Sequence, residues 1–191
     1  MKFGKFSLCA ALMVSLISPI VAQTASPSET SPSGEDRIEL SSSYRNITLG
    51  SSMEEVKKAL LADTVFGYRG DRDVSLLHGE NRTLIETTGM SFIKRSWFQF
   101  DNDRLYVMTF SLDTDRIDYY SVYSTLVDKY GEPSELNPRL SRWNSGGVVL
   151  SLERPLLVKY IDEAIFSEIL EKSGVEKAAS DVIREGFLDE F

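Results

Sequence analysis

The chain has 191 residues, 42% hydrophobic, 26% charged and 10% aromatic, with 12 Gly and 6 Pro. That composition fits a globular protein and excludes a collagen, a wholly disordered chain and a disulfide-dense miniprotein. The 21 Lys and Arg against 29 Asp and Glu leave a net charge of −8, which repels nucleic acid and anionic lipid surfaces.

The N-terminus has three parts. Met1 to Lys5 is short and basic, Phe6 to Ile20 is apolar, and Ile20-Val21-Ala22 offers a small residue before Gln23. This is the pattern of a secretory signal peptide, and the apolar run is shorter than the roughly 20 residues of a membrane span. Residues 1–22 are therefore expected to be a signal peptide. The protein is expected in the periplasm or cell envelope, or secreted. Cys9 is the only cysteine, and Leu8 precedes it where a lipoprotein signal needs a small residue. Without residues 1–22 the chain has no cysteine, hence no disulfide, thiol nucleophile or thiolate metal site. Losing Lys2 and Lys5 leaves 19 basic against 29 acidic residues, a net −10. Residues 23–37, rich in Ser and Thr and broken by Pro27 and Pro32, read as a disordered linker.

Residues 38–191 read as a single α+β domain. Ser52 and Glu55 have capping-box spacing, and Met53, Val56, Leu60 and Leu61 follow on one helical face. Phe66-Gly67-Tyr68, Val74 to Leu77 and Arg82 to Thr87 look like strands. Ser91 to Leu112 is expected to be a hairpin turning at Asn102-Asp103. Tyr119, Val122, Tyr123, Leu126, Val127 and Tyr130 predict a second helix, ended by Gly131 and Pro133. Three strand-like stretches follow: Leu140 to Trp143, Val148 to Glu153 and Leu156 to Tyr160. A helical tail closes the chain, with Ile165, Phe166, Ile169 and Leu170 on one face and Val175 to Phe187 on another after Gly174. The order predicts a helix followed by antiparallel strands, twice (about 46–113 and 114–162), with a C-terminal helical tail over 163–191.

The stretch Ile47-Thr-Leu-Gly-Ser-Ser-Met-Glu-Glu-Val-Lys-Lys-Ala-Leu60 resembles the opening motif of the small bacterial SmpA/OmlA (BamE-like) envelope proteins. There a Gly precedes a Ser/Thr-capped helix carrying a Val. Leu126 to Pro133, followed by Trp143, is similar to the helix end and first strand of the β-lactamase-inhibitor-protein-like fold. The resemblance implies an envelope scaffold or binding module, not an enzyme, and transfers no catalytic residue. It departs from the family in lacking a lipid-anchor cysteine and in carrying the tail.

Chemical motifs are sparse. His78 is the only histidine and lies in a Gly-containing turn, so no histidine-based metal cluster can form. Asp71/Asp73, Asp101/Asp103 and Asp113/Asp115 are Asp-x-Asp pairs, too few carboxylates for a calcium loop and well suited to turns and caps. Ser91-x-x-Lys94 falls on a strand, where residues three apart face opposite sides. Arg69-Gly70-Asp71 has the form of an adhesion triplet, and equally that of a turn. No catalytic, cofactor or metal residue is assigned, and no cofactor is expected.

One feature of the hairpin points to a partner. With a simple two-residue turn, Phe98 and Phe100 share a face with Leu105 and Val107, and Trp97 shares the other with Tyr106, Met108 and Phe110. A sheet covered on one side alternates apolar and polar residues, and this one is apolar on both. Either the tail, through Phe166, Leu170 and Phe187, covers the second face, or Trp97, Tyr106, Met108 and Phe110 form a protein-binding surface. The functional expectation is an exported, non-enzymatic bacterial envelope module that binds another protein. The alternatives are a secreted enzyme inhibitor and an envelope hydrolase using Asp71, Asp73 or Glu86.

Overall fold

Strands dominate the described residues, and those that follow one another directly along the chain are antiparallel because the loops between them are short. In the computed structural model the described residues are 39–188, excluding the side chains of 176, 178–183 and 185–187. The expected signal peptide and linker, and the tail positions Ala178, Ala179, Val182, Ile183 and Phe187, lie outside them. A two-strand hairpin comes first, β1 (Ser43–Tyr44) and β2 (Ile47–Thr48), then helix α1 (Met53–Ala62). Four strands follow: β3 (Val74–Leu76), β4 (Arg82–Thr88), β5 (Ile93–Asp101) and β6 (Arg104–Leu112). After α2 (Tyr119–Tyr130) come β7 (Glu135–Leu136), β8 (Leu140–Ser145), β9 (Val148–Glu153) and β10 (Leu157–Asp162), then α3 (Glu163–Leu188).

The expectation of a helix-then-strands unit built twice is overturned. The chain forms one continuous eight-stranded antiparallel sheet in the order β3-β4-β5-β6-β10-β9-β8-β7, and a separate β1–β2 hairpin precedes the first helix. The physical reason is the seam between β6 and β10, where Val158 pairs with Phe110 and Tyr160 with Met108. That pairing merges the strands into a single sheet with one shared core.

The helix ends follow from local chemistry. Ser52 and Glu55 form the expected capping box: the Ser52 amide donates to Glu55 Oε2 at 2.9 Å, and the Glu55 amide to Ser52 Oγ at 3.4 Å. Asp118 caps α2 by accepting from the Ser121 amide at 2.9 Å. Gly131 ends it in a positive-φ conformation that disfavours a side chain. Phe66-Gly67-Tyr68 is not a strand. Thr64–Phe66 is a 3-10 turn, and Gly67 is left-handed with a Cβ position only 2.4 Å from the Thr88 carbonyl oxygen, so only glycine fits. The tail differs as well: α3 runs unbroken through Gly174. A glycine in a helix interior costs about 1 kcal/mol but does not end it.

α1, α2 and the β1–β2 hairpin all pack on one face of the sheet. Val56 and Leu60 of α1 and Leu126 of α2 meet Ile85, Phe98, Phe110, Leu150 and Leu152 there. Phe110 is the centre of an aromatic cluster, 4.3 Å from Tyr44, 6.0 Å from Phe98 and 6.4 Å from Tyr160, ring centre to ring centre. The opposite face is covered only in part. Ile165 and Ile169 of α3 bury Tyr106 and Val107, with Ile161 and Phe166 beside them. Further along α3, Leu170 and Val175 are exposed, so Leu170 does not supply the expected second cover.

Candidate functional site: the open sheet face

The hairpin turn is the two-residue one expected, with Asn102 and Asp103 both at positive φ and Asp101 paired to Arg104. Phe100 pairs with Leu105, but Gln99 pairs with Val107, so Tyr106 is the extra residue of a β-bulge. A bulge of one residue reverses the side-chain alternation beyond it. Tyr106 and Val107 both turn toward α3, where the Tyr106 hydroxyl donates to Gln99 Oε1 at 3.0 Å. Met108 and Phe110 turn to the helix-covered face, opposite Phe98 and Ser96.

The expected surface of Trp97, Tyr106, Met108 and Phe110 is therefore dispersed. Met108 and Phe110 are fully buried beneath α1, α2 and the β1–β2 hairpin, and Tyr106 is buried beneath α3. Only Trp97 remains on the open face, half-buried.

What the sheet places around Trp97 is a row of side chains crossing seven strands. Glu86 pairs with Trp97, Trp97 with Thr109, Thr109 with Lys159, Lys159 with Ser151, Ser151 with Arg142, and Arg142 with Glu135. Thr109 and Ser151 are buried between larger neighbours. The charges along the row are paired. Arg95 Nη1 lies 2.9 Å from Glu86, Lys159 Nζ 2.7 Å from Glu153, and Arg142 Nη1 2.9 Å from Glu135. Ser151 Oγ also donates to Glu153 at 3.0 Å. The result is a fixed polar floor with one large aromatic side chain standing on it, in a part of the face that the described side chains of α3 do not cover. Such an aromatic anchor in a polar surround is the composition of a protein contact surface.

The other residues singled out from the sequence are engaged elsewhere. Arg69 is held by Asp73, whose oxygens accept its backbone N–H at 2.8 Å and its guanidinium at 2.6 and 3.0 Å. Asp71 is exposed, 3.4 Å from Lys57 Nζ. The Arg69-Gly70-Asp71 triplet is thus a turn with both charged ends occupied. Glu86 is tied to Arg95 rather than to either aspartate. Asp113 is held below the usual carboxylate range by Lys94 and by the Asp115 amide, which makes it a turn-fixing group. Asp103 accepts from the Met53 amide at 3.0 Å, joining the hairpin tip to the start of α1. Among the described residues, no group of three His, Cys, Asp or Glu comes together as metal ligands would.

A second concavity, of about 510 Å3, lies between α2 and the β7–β8 end of the sheet. It is lined by Tyr119, Tyr120, Tyr123 and Arg154, with the Arg154 guanidinium 4.3 Å from the Tyr119 ring centre. No helix among the described residues is long and apolar enough to cross a membrane.

No curated protein and no solved structure matches the chain. The model of one protein family does, over residues 42–172, which takes in the hairpin, the first two helices, the whole sheet and the turns of α3 that pack on it. The chain belongs to the TP0088 domain family.

Proposed function

We propose that the protein is an exported, non-enzymatic module of a bacterial envelope that binds another protein through the open face of its sheet, with Trp97 as the anchor. The observation that carries this reading is the asymmetry of the sheet. One face is closed by two helices and a hairpin, while among the described residues the other is covered by the first turns of α3 and presents Trp97 over a floor of paired charges. The basic-apolar-small N-terminus supports export. The similarity of residues 47–60 to the SmpA/OmlA envelope proteins supports an envelope setting. The carboxylates considered for hydrolysis favour a binding role instead, since Asp73 and Glu86 each hold an arginine.

The test is a photo-crosslinking amino acid placed singly at positions 97 and 110 and activated in intact cells of the source organism. A discrete protein adduct is expected from position 97 and none from position 110. Adducts from neither position, or equal adducts from both, would remove Trp97 as the contact.

A further inference from the structure

A cleft of about 200 Å3 opens at the outer edge of β4, where β3 stops. β3 pairs with β4 only from Thr83 to Ile85. From Glu86 to Thr88 that edge is flanked by the turn carrying Arg69, Arg72 and Asp73 instead. Three guanidinium groups line the cleft, those of Arg69, Arg72 and Arg95.

Their partners are unequal. The Asp73 side chain is fully buried and neutralises Arg69. Glu86 Oε1 is ion-paired with Arg95 Nη1 at 2.9 Å. Arg72 is exposed and, among the described residues, has no ion-pair or hydrogen-bond partner. Three arginines against two carboxylates leave a local surplus of positive charge, in a chain whose net charge is −8. The cleft thus carries one guanidinium in excess of its carboxylates. A guanidinium fork matches the paired oxygens of a carboxylate or phosphate. The volume is below the roughly 300 Å3 at which drug-sized pockets begin, so it suits one small group.

We propose that this cleft binds a small oxyanion, a carboxylate or phosphate group, with Arg72 as the principal ligand-binding residue and Arg69 and Arg95 supporting it. The cleft adjoins the Trp97 contact, sharing Glu86 and Arg95 with its floor, but the proposal does not rest on that contact.

The test is an amide NMR titration of the full chain at constant ionic strength with inorganic phosphate and, separately, with succinate; chloride serves as the control anion. Saturable shifts are expected at the amides of residues 69–75, 86–88 and 95, with a dissociation constant in the millimolar range. Saturation by succinate alone assigns a carboxylate ligand, by phosphate alone a phosphate. Arg72→Gln, at an exposed position, should fold normally and weaken binding on the order of tenfold, the usual weight of one charge-assisted contact. The assignment fails if neither anion gives saturable shifts there. It fails equally if Arg72→Gln binds as tightly as the wild type.

Discussion

Two residues on adjacent strands show how a single bulge separates core from surface. Phe110 sits among Tyr44, Phe66, Phe98 and Tyr160 with almost no exposure, whereas Trp97, one strand away, is half-buried on the other face. Phe110→Ala should therefore cost roughly 3–5 kcal/mol, and Trp97→Ala only about 1–2 kcal/mol, in a urea unfolding titration. Equal losses would place Trp97 in the core. At the start of α1, Ser52→Ala should cost about 1 kcal/mol, because the capping box it closes is present. The box also carries a pH dependence. Donation from the Ser52 amide and hydroxyl holds the Glu55 carboxyl below its ordinary value of 4.5. A folded-state value below the unfolded one stabilises the fold above the unfolded value and loses that effect as pH falls through the folded one. The melting temperatures of the wild type and Glu55→Gln should thus differ at neutral pH and converge as acidification carries the pH down past 4.5 and through the lowered folded-state value. A constant gap would show that the charge on Glu55 is not what closes the box.

Among the elements, the β5–β6 hairpin does the most to organise the site, and its tip is locked to α1. The Gly50 amide donates to the Leu105 carbonyl at 2.7 Å, the Leu105 amide to the Ser51 carbonyl at 2.9 Å, and the Met53 amide to Asp103. Asp103→Ala removes that last bond and sets alanine at positive φ. Asp103→Gly removes the bond but relieves the backbone. Both should destabilise, alanine more than glycine by about 1 kcal/mol. The reverse order would mean that the conformation at 103 is not left-handed. The elements legible in the sequence are those governed by local chemistry: the capping box at Ser52, the stop of α2 at Gly131, and the Asn102-Asp103 turn. The bulge at Tyr106 left no such mark. Alternation continues through it as an unbroken apolar run, and only the burial of Tyr106 and Val107 together under Ile165 and Ile169 selects it. Met108 and Phe110 were misassigned to the partner face for that reason, while Trp97, before the bulge, kept its face. The strand expected at Phe66 to Tyr68 gives way to a 3-10 turn ending in left-handed Gly67, where the distant Thr88 carbonyl leaves no room for a side chain.

At the scale of the molecule, the seam between β6 and β10 decides the architecture, and nothing local signals it. Ser111 and Leu157 are paired across more than forty residues of chain, and hydrophobic patterning predicts strands without predicting which strands meet. The arginine cleft is equally non-local. Arg69-Gly70-Asp71 and the Asp71/Asp73 pair read as turn chemistry in the sequence, but Arg95 joins Arg69 and Arg72 only because β4 and β5 pair in the register that sets Thr88 opposite it. A single sheet of this kind should unfold in one cooperative transition, with the slowest amide exchange in β6 and β10. Two separable transitions would mean that the seam is weak and the two groups of strands are independent.

The openness of one face and the closure of the other meet in the two tryptophans, Trp97 and Trp143, the only ones in the chain. Trp143 is buried on the covered face, its indole N–H donating to the Gly131 carbonyl at 2.8 Å. The measurement is acrylamide quenching of fluorescence in two single-tryptophan variants of the full chain. Trp143→Phe reports on Trp97, and Trp97→Phe reports on Trp143. Trp97 is predicted to be quenched readily and Trp143 to be shielded, as an open contact face over a closed core requires. Equal shielding of both would mean that the Trp97 face is covered, and would leave the protein without its proposed binding surface.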